Sequence, residues 1–280
     1  MAIASNTTQI KKLGSDELEI QVAPDFGARV ISLVDCRSGR NWLTQGPMVG
    51  AQDNDADFTG DPSRGWDECF PTVSRCLDPT WGRNLRDHGD LWARRWSHTS
   101  AQGQIACTYS APDYTFTRSL TLDGARLQVD YKLSATSRTP LPWIWSQHCL
   151  LACQPGERFE IEGLGDIRTD SGELADLTPI RGMEDGFAQK SYGKVRGQAR
   201  IGVVGPQGSI HFTWAEEDAP YLGLWLSYGG WPTDNPTHQI AIEPTTAPVG
   251  QLDQAIAQNT HKVLQPDSSV EWQIQLDVSA

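Results

Sequence analysis

The sequence is poor in basic side chains for its length of 280 residues. Its 23 lysines and arginines are outnumbered by 35 aspartates and glutamates, which gives a formal net charge of −12 and a pI near 4.9. The basic residues do not cluster densely anywhere along the chain. Nucleic acids and anionic membranes both attract basic patches, so the composition argues against either as a partner.

Long hydrophobic runs are also missing. No stretch approaches the roughly 20 apolar residues of a transmembrane helix. The N-terminal stretch MAIASNTTQIKKL has no basic region followed by an apolar run, so no secretory signal is visible. The six cysteines include no C-x-x-C pair. We therefore expect reduced thiols and a cytoplasmic protein, because disulfides belong to oxidising compartments.

Helical periodicity is scarce, and its best window, residues 251–257, spans only about two turns. Strand-like alternation recurs instead, with turn formers between the strands, which predicts an all-β fold, an antiparallel sandwich or barrel. No linker, internal repeat or low-complexity tract is visible, so residues 1–280 are predicted to form one domain. The predicted strands are 18–22, 28–34, 104–109, 114–122, 126–133, 143–151, 201–204, 209–214, 222–228, 239–242 and 270–278.

Residues 46–92 have little hydrophobic periodicity and are too many for a simple connecting loop, so we expect them to carry function. Their mixture of aromatic and charged residues argues against disorder. The acidic run 53–57 superficially resembles a calcium loop. Phe58 and Arg64 occupy the places where such a loop needs glycine and glutamate, so the sequence predicts a solvated loop and no metal site.

Two runs within this segment mix charges, large aromatics and a turn former: RGWDECFPTVSRC at 64–76 and RDHGDLW at 86–92. Asp67, Glu68, Arg75 and His88 could all project from these runs into one cleft. The alternative is a surface loop in which arginine and aspartate pair locally.

A histidine lies on an otherwise apolar predicted strand, WIWSQHCLL at 143–151. By period-two alternation, Ser146 and His148 share a face with Ile144 and Leu150. A lone histidine on a core strand is commonly a hydrogen-bonded structural residue, and the alternative is an acid that faces a cavity. Both interpretations remain open at this point.

Glu243 stands at the end of the predicted strand 239–242, in the stretch QIAIEPTTAPV. Pro244 removes a ladder donor, so we expect the strand to stop at or just before Glu243. A carboxylate in that position is poorly hydrated and rigidly held, which favours a raised pKa and suits a general base. The alternative is an ordinary solvated glutamate. Together with His148, Glu243 would supply an acid and a base across one cavity.

In this order, the motifs resemble those of the aldose 1-epimerase (galactose mutarotase-like) superfamily. The resemblance rests on GWDECFPTVSRC followed by DHGDLW, then WSQHCLL, then IEPTTAP, and covers roughly residues 66–248. It implies a large antiparallel β-sandwich. It also implies an enzyme that interconverts the α and β anomers of a free aldose without a metal or an organic cofactor.

The resemblance further implies site residues. Glu243 would be the base at the C1 hydroxyl, and His148 would be the acid at the ring oxygen. Further expected contacts to the sugar are His88 and Arg75 to hydroxyls, Asp67 in the same motif, and Trp66 and Trp231 stacked on the pyranose. Aromatic stacking suits a sugar because its C–H face is apolar, and the sequence contains eleven tryptophans.

One departure from the family pattern leaves the sugar open. Galactose-specific members have an aspartate between the mid-chain histidine and the late glutamate, for which Asp185 and Asp234 are the only weak candidates here. The sequence is thus also compatible with the same reaction on an anionic sugar, a hexose 6-phosphate or a sulfonated sugar. Such a sugar would need an arginine pocket, and the nearby candidates are Arg64, Arg83, Arg86 and Arg94.

A third reading is a noncatalytic carbohydrate-binding domain on the same fold, because fold does not fix function. Retention of both His148 and Glu243 argues against it, since a binding module needs neither an acid nor a base. A glycosidase would usually need two carboxylates, and only Glu243 is well placed. The expected partner is a small-molecule sugar, and the sequence leaves a homodimer open.

Overall fold

The computed structural model describes residues 9–46, 58, 64–78, 80–169 and 176–280. The predicted acidic loop at 53–57 lies outside these residues. The described part contains one short α-helix, α1 (Leu252–Ala257), where the sequence predicts about two turns, and a 3-10 helix at Met183–Asp185. The remaining elements are strands, numbered in chain order: β1 (Lys11–Gly14), β2 (Leu18–Ala23), β3 (Arg29–Asp35), β4 (Trp66–Cys69), β5 (Cys76–Asp78), β6 (Arg83–Leu85), β7 (Ser97–Ala101), β8 (Gln104–Ser110), β9 (Tyr114–Asp123), β10 (Arg126–Ala135), β11 (Leu141–Trp143), β12 (Ser146–Leu151), β13 (Arg158–Thr169), β14 (Phe187–Gly205), β15 (Gly208–Ala215), β16 (Tyr221–Tyr228), β17 (His238–Thr245), β18 (Lys262–Leu264) and β19 (Ser269–Ser279).

A fifteen-stranded antiparallel sheet dominates the described residues. Fourteen of its strands follow the order β1-β2-β3-β4-β12-β17-β16-β14-β15-β19-β10-β9-β8-β7, and β13 joins at β14. The long strand β14 pairs with β16 through its first half and with β15 through its second half. By changing partner it links two parts of the sheet. The predicted all-β sandwich is confirmed.

Alternation of buried and partly exposed residues explains the most regular hairpin. In β9 the buried positions are every second residue from Tyr114, and β10 follows the same rule on its own face. Arg126 pairs with Asp123 across the predicted turn at Gly124. Because one face of each strand is buried, the period-two pattern also fixes the pairing register.

The core is rich in aromatic side chains. Seven of the eleven tryptophans lie in the main buried cluster: Trp42, Trp66, Trp96, Trp143, Trp145, Trp214 and Trp272. Five of the six cysteines are buried, and all six are unpaired thiols. The high tryptophan content is therefore mainly a property of the core. No helix in the described ranges is long and apolar enough to cross a membrane.

The structure differs from the sequence prediction at two strands around Pro244. The predicted strand 143–151 is divided into β11 and β12. Strand β17 continues past Glu243 to Thr245, with Pro244 opposite Leu222 of β16. The pairing of β12 with β17 is interrupted between the pairs Ser146–Thr245 and Leu150–Ala241. Pro244 lies within this interruption, so it has no paired residue on β12. The strand therefore tolerates proline where the sequence predicts its end.

Eight stretches of strand in the described residues are not predicted from the sequence: β1, β4, β5, β6, β7, β13, the first half of β14 and β18. Strand β4 lies inside the aperiodic segment 46–92 yet occupies a central position in the sheet. Strand β13 and the first half of β14 are the longest of the eight. Their residues are largely polar, small or partly exposed, so they lack the apolar alternation that identifies a strand.

Candidate active site

A cavity of about 370 Å³ opens on one face of the sheet, above β12, β17, β16 and β14. Its volume falls within the roughly 300–1,000 Å³ of small-molecule pockets. The four strands are neighbours, so side chains from one face of each converge there. The lining residues are Phe58, Val73, Ser74, His88, His148, Leu150, Lys190, Tyr192, Trp225, Trp231, Gln239, Glu243, Gly250, Gln251 and Gln254.

Glu243 lies on the floor of the cavity and is 1% exposed. Its Oε2 atom accepts a hydrogen bond from the Ser146 hydroxyl at 3.2 Å and contacts the Lys190 ammonium. Its Oε1 atom has no hydrogen-bond partner among the described residues. One carboxylate oxygen is thus held by the protein, and the other is left for a ligand.

The pKa of Glu243 is lowered, and the prediction of a raised pKa is wrong. Burial by itself raises the pKa of this carboxyl, but the Lys190 ammonium and, to a smaller extent, His148 and His88 outweigh burial. Burial alone favours a raised pKa, and Lys190 is distant from Glu243 in sequence. Glu243 is therefore ionised throughout the neutral pH range.

Lys190 reaches Glu243 across the intervening strand β16. Lys190 pairs with Trp225 of β16, and Gly223 of β16 pairs with Glu243. Gly223 leaves room for the ion pair, because a Cβ atom there would lie 3.2 Å from Glu243 Oε2 and 3.4 Å from Lys190 Nζ. Sequence analysis misses Lys190 because it lies in the half of β14 that is not predicted as a strand.

His148 is oriented by a buried ion pair beneath it. In the register of β12 and β4, His148 lies opposite Asp67, so the two side chains share one face. His148 Nδ1 is 2.7 Å from Asp67 Oδ1, and Arg29 donates to Asp67 Oδ2 at 2.6 Å. Burial raises the pKa of Asp67, but Arg29 and then His148 outweigh it, so Asp67 stays ionised well below its usual range. Asp67 thereby fixes the imidazole and leaves Nε2 for a ligand.

His88 enters the cavity from a tight turn. Both His88 and Gly89 have positive φ, at 59° and 68°. Gly89 is required because a Cβ atom there would lie 2.0 Å from the carbonyl oxygen of Phe70. Burial lowers the pKa of His88, although Asp87, whose Oδ2 is 2.9 Å from His88 Nδ1, opposes it. His88 is therefore neutral at pH 7 and can donate or accept a hydrogen bond.

The two histidines are in contact with each other. The ring centroids of His88 and His148 are 4.7 Å apart in an edge-to-face arrangement. Phe58 stacks on His88 at 3.5 Å and meets His148 edge-on at 5.7 Å. The aromatic ring covers both imidazoles and holds them in one wall of the cavity.

The structure brings some of the predicted site residues together and separates others. Glu243, His148, His88 and Trp231 all line the cavity. The other three do not appear in its lining: Asp67 lies beneath His148, Trp66 is fully buried, and Arg75 is exposed beside the neighbouring cleft.

Asp67, Trp66 and Arg75, which the sequence analysis expects to contact the sugar, make contacts with other protein groups in this structure. The indole of Trp66 donates to Glu68 at 3.1 Å inside the core. The carbonyl oxygen of Arg75 accepts a hydrogen bond from Gln251, a cavity residue, at 3.0 Å. In this geometry Asp67 contacts the cavity residue His148, Arg75 contacts the cavity residue Gln251, and Trp66 packs in the core.

The sequence candidates for a hydroxyl-binding aspartate also lie outside the cavity lining. Asp185 is 3.2 Å from Arg181, and Asp234 is exposed. Amide side chains occupy the polar parts of the lining instead: Gln239, Gln251 and Gln254. No sequence motif singled these out.

The arginines that could bind an anionic sugar are not in this cavity lining. Arg83, Arg86 and Arg94 line a separate cleft of about 820 Å³, where Arg83 donates to Asp90 at 2.5 Å. Arg64 borders a third, smaller depression. Among the described residues, no group of three or more His, Cys, Asp or Glu side chains is arranged to hold a metal ion.

Comparisons with known proteins identify the fold. A galactose mutarotase related enzyme from Lactobacillus acidophilus matches 97% of this chain and 98% of its own, with a TM-score of 0.72 at 12% identity. The chain has the galactose mutarotase-like fold. A galactose mutarotase-like protein from Lactobacillus casei matches 97% of this chain and 100% of its own, with a TM-score of 0.69 at 14% identity.

A further mutarotase-like structure supports the same fold. A galactose mutarotase-like protein from Clostridium acetobutylicum matches 97% of this chain and 98% of its own, with a TM-score of 0.65 at 14% identity. No protein-family model matches the sequence, and no curated protein matches it. At this level of identity the likeness establishes the galactose mutarotase-like fold, and residue roles rest on the site itself.

Proposed function

We propose that the protein is an aldose mutarotase, which interconverts the α and β anomers of a free sugar by opening and reclosing the ring. The observation that supports this most directly is the pair formed by Glu243 and His148 in one cavity. Glu243 is an ionised carboxylate with a free oxygen, and His148 is an imidazole held by Asp67. The galactose mutarotase-like fold agrees with this reaction.

The reaction uses the two groups on the two oxygens of the anomeric carbon. Glu243 takes the proton of the C1 hydroxyl, while His148 gives a proton to the ring oxygen, and the C1–O5 bond opens to an aldehyde. Rotation about C1–C2 presents the other face of the aldehyde. The reverse proton transfers then close the ring as the other anomer. A positioned acid or base contributes about 10²- to 10⁴-fold to such a rate.

Other residues around Glu243 and His148 hold the catalytic carboxylate or would contact the sugar. Lys190 and Ser146 hold one oxygen of Glu243 and keep the carboxylate ionised. Neutral His88 is placed to hydrogen-bond a sugar hydroxyl, and Trp225 and Trp231 supply an apolar wall for the C–H face of the ring.

The cavity favours a neutral aldose over an anionic one. Lys190, the cation in its lining, is already paired with Glu243. The candidate arginines face other clefts. An anionic group in the cavity would therefore compete with Glu243 for Lys190 and lie near a buried carboxylate.

Polarimetry of a freshly dissolved pure anomer tests the proposal. The protein should accelerate the approach of α-D-glucose or α-D-galactose to anomeric equilibrium beyond the spontaneous rate. Glu243→Gln should abolish the acceleration while sugar binding is kept, because the amide retains the shape and loses the base. His148→Asn should lower the rate by about 10²-fold or more.

Two outcomes would contradict the assigned roles. Retained catalysis by folded Glu243→Gln would remove Glu243 as the base. If His148→Asn instead loses several kcal/mol of stability while activity per folded molecule stays intact, His148 is a structural residue. Binding of sugars without any acceleration by the native protein would point to the carbohydrate-binding alternative.

A further inference from the structure

Gln239 lies on the same strand and the same face as Glu243, four residues earlier in β17. Both side chains line the cavity, and each is 1% exposed. Four residues of strand span about 13 Å at about 3.3 Å per residue. Because the two side chains have equal length and stand off the sheet in the same direction, they mark two ends of one cavity floor.

Each of these side chains has a buried polar atom without a partner among the described residues. Gln239 Nε2 is a donor with no acceptor, and Glu243 Oε1 is an acceptor with no donor. Buried polar groups in folded proteins almost always have a hydrogen-bond partner. A donor at one end and an acceptor at the other therefore indicate a ligand that carries an oxygen acceptor opposite a hydroxyl donor.

The floor between these two ends is apolar. Ala241 lies midway between Gln239 and Glu243 on β17, and its neighbours on the flanking strands are Leu150 of β12 and Trp225 of β16. Trp231 meets Trp225 edge-to-face at 5.7 Å. A cavity that is polar at its ends and apolar in the middle suits a pyranose ring, with hydroxyls at its rim and C–H bonds on its faces.

The distance between the ends suits a single ring. Two hydrogen bonds of about 2.8 Å each leave about 7 Å of the 13 Å span for the ligand. The oxygens on C1 and C4 of a hexopyranose, at opposite corners of the ring, lie somewhat closer together than this, so one ring fits between the two ends. If Glu243 engages the C1 hydroxyl, Gln239 is placed at the C4 oxygen.

We propose that Gln239 donates a hydrogen bond to the C4 oxygen of the sugar and so determines which aldoses the protein accepts. The inference rests on the proposed mutarotase function, which supplies the position of C1. It adds a specificity residue that acts on binding and takes no part in the proton transfers. The ligand it selects is a neutral aldohexopyranose with an oxygen on C4.

Anomer exchange of D-glucose and of 4-deoxy-D-glucose, followed by NMR on the native protein, tests the proposal without any variant. Loss of one neutral hydrogen bond corresponds to about a tenfold change in an equilibrium constant. We therefore expect kcat/KM to be about tenfold lower for the 4-deoxy sugar, mainly through a higher KM. Removal of the C3 hydroxyl, in 3-deoxy-D-glucose, should have a smaller effect.

Gln239→Met provides the complementary test, in which the protein loses the donor while the sugar keeps its C4 oxygen. Methionine keeps the size of the side chain and removes the donor. The variant should lose about tenfold in kcat/KM for glucose, with kcat little changed, and lose nothing further for the 4-deoxy sugar. Gln128→Met, at a partly exposed position of β10 outside the cavity lining, is the matched control and should behave as the native protein.

The outcomes separate this inference from the function on which it rests. Acceleration of neither sugar would overturn the mutarotase assignment itself. If the native protein accelerates the anomer exchange of both sugars equally, Gln239 does not recognise the C4 oxygen. The same holds if folded Gln239→Met lowers kcat/KM for both sugars by the same factor.

Discussion

Replacement of Lys190 by methionine removes the cation that contacts Glu243 and keeps a side chain of similar length. Two unit charges about 4 Å apart interact by about 4 kcal/mol at an effective dielectric constant of about 20. The Lys190 side chain is 23% exposed, so solvent screens part of this interaction. Taking about half leaves about 2 kcal/mol, so loss of the Lys190 ammonium should raise the pKa of Glu243.

This rise predicts a change in the pH dependence of the reaction. Glu243 acts as a base only when it is ionised, and its lowered pKa keeps it ionised at mildly acidic pH. In Lys190→Met the acidic limb of kcat/KM should therefore move to higher pH. Activity should fall most at pH 5 to 6 and least near pH 8. The assay is anomer exchange across this range, corrected for the spontaneous rate.

The free energy of unfolding gives a second readout of the same pair. A carboxyl whose folded pKa is lowered contributes stability above its unfolded pKa and loses it as the pH falls through the folded pKa. Lys190→Met should remove this contribution, about 2 kcal/mol at pH 7. Lys194→Met is the matched control, because Lys194 lies on the same strand, pairs with Glu216 at 3.8 Å and is not in the cavity lining. An acidic limb that coincides with that of the native protein would refute the role of Lys190.

Two other buried carboxylates give contrasting expectations. Asp67→Asn should lower kcat by about 10²-fold or more, because an amide no longer fixes the tautomer of His148; an unchanged kcat would remove Asp67 from the site. Asp67→Asn should also make the free energy of unfolding fall less steeply below about pH 4. Because the pKa of Asp67 is lowered in the folded state, its contribution to stability is full above the usual pKa of aspartate and is lost as the pH falls towards the folded pKa. Burial raises the pKa of Glu68 to about 7, so at pH 8, where Glu68 is mostly ionised, Glu68→Gln should cost about 3–5 kcal/mol, because it leaves Arg118, 2.9 Å away, as an unpaired buried charge. The matched change Glu271→Gln, at an exposed pair, should cost less than about 1 kcal/mol; denaturant unfolding measures both, and equal losses would contradict the argument.

Much of the fold could be predicted from the sequence because most strands have one buried face. Predicted strands 114–122 and 126–133 match β9 and β10 within two residues at each end. Along the first half of β14 the apolar period is lost. The first half of β14 presents Lys190, Tyr192 and Lys194 on one face. That is why both the strand and its site lysine were missed.

The candidate site was accessible from the sequence only where a side chain and its strand context pointed the same way. His148 and Glu243 are polar residues on apolar strands, and such residues stand out. Gln239 and Lys190 are ordinary polar residues until strand register places them beside the cavity. Trp66 and Asp67 lie in the run RGWDECFPTVSRC at 64–76, but strand β4 directs Trp66 into the core and Asp67 beneath His148. Which strands become neighbours in the sheet depends on contacts between segments distant in sequence, so a single sequence could not supply that placement.

Magnetisation-transfer NMR at anomeric equilibrium tests the central claim most directly. It measures exchange between the α and β signals of a sugar without any net reaction, so it can be applied to neutral, phosphorylated and sulfonated aldoses alike. The account predicts protein-dependent exchange that is greatest for a neutral aldohexose and absent with Glu243→Gln. Binding of these sugars with no protein-dependent exchange in any of them would contradict it.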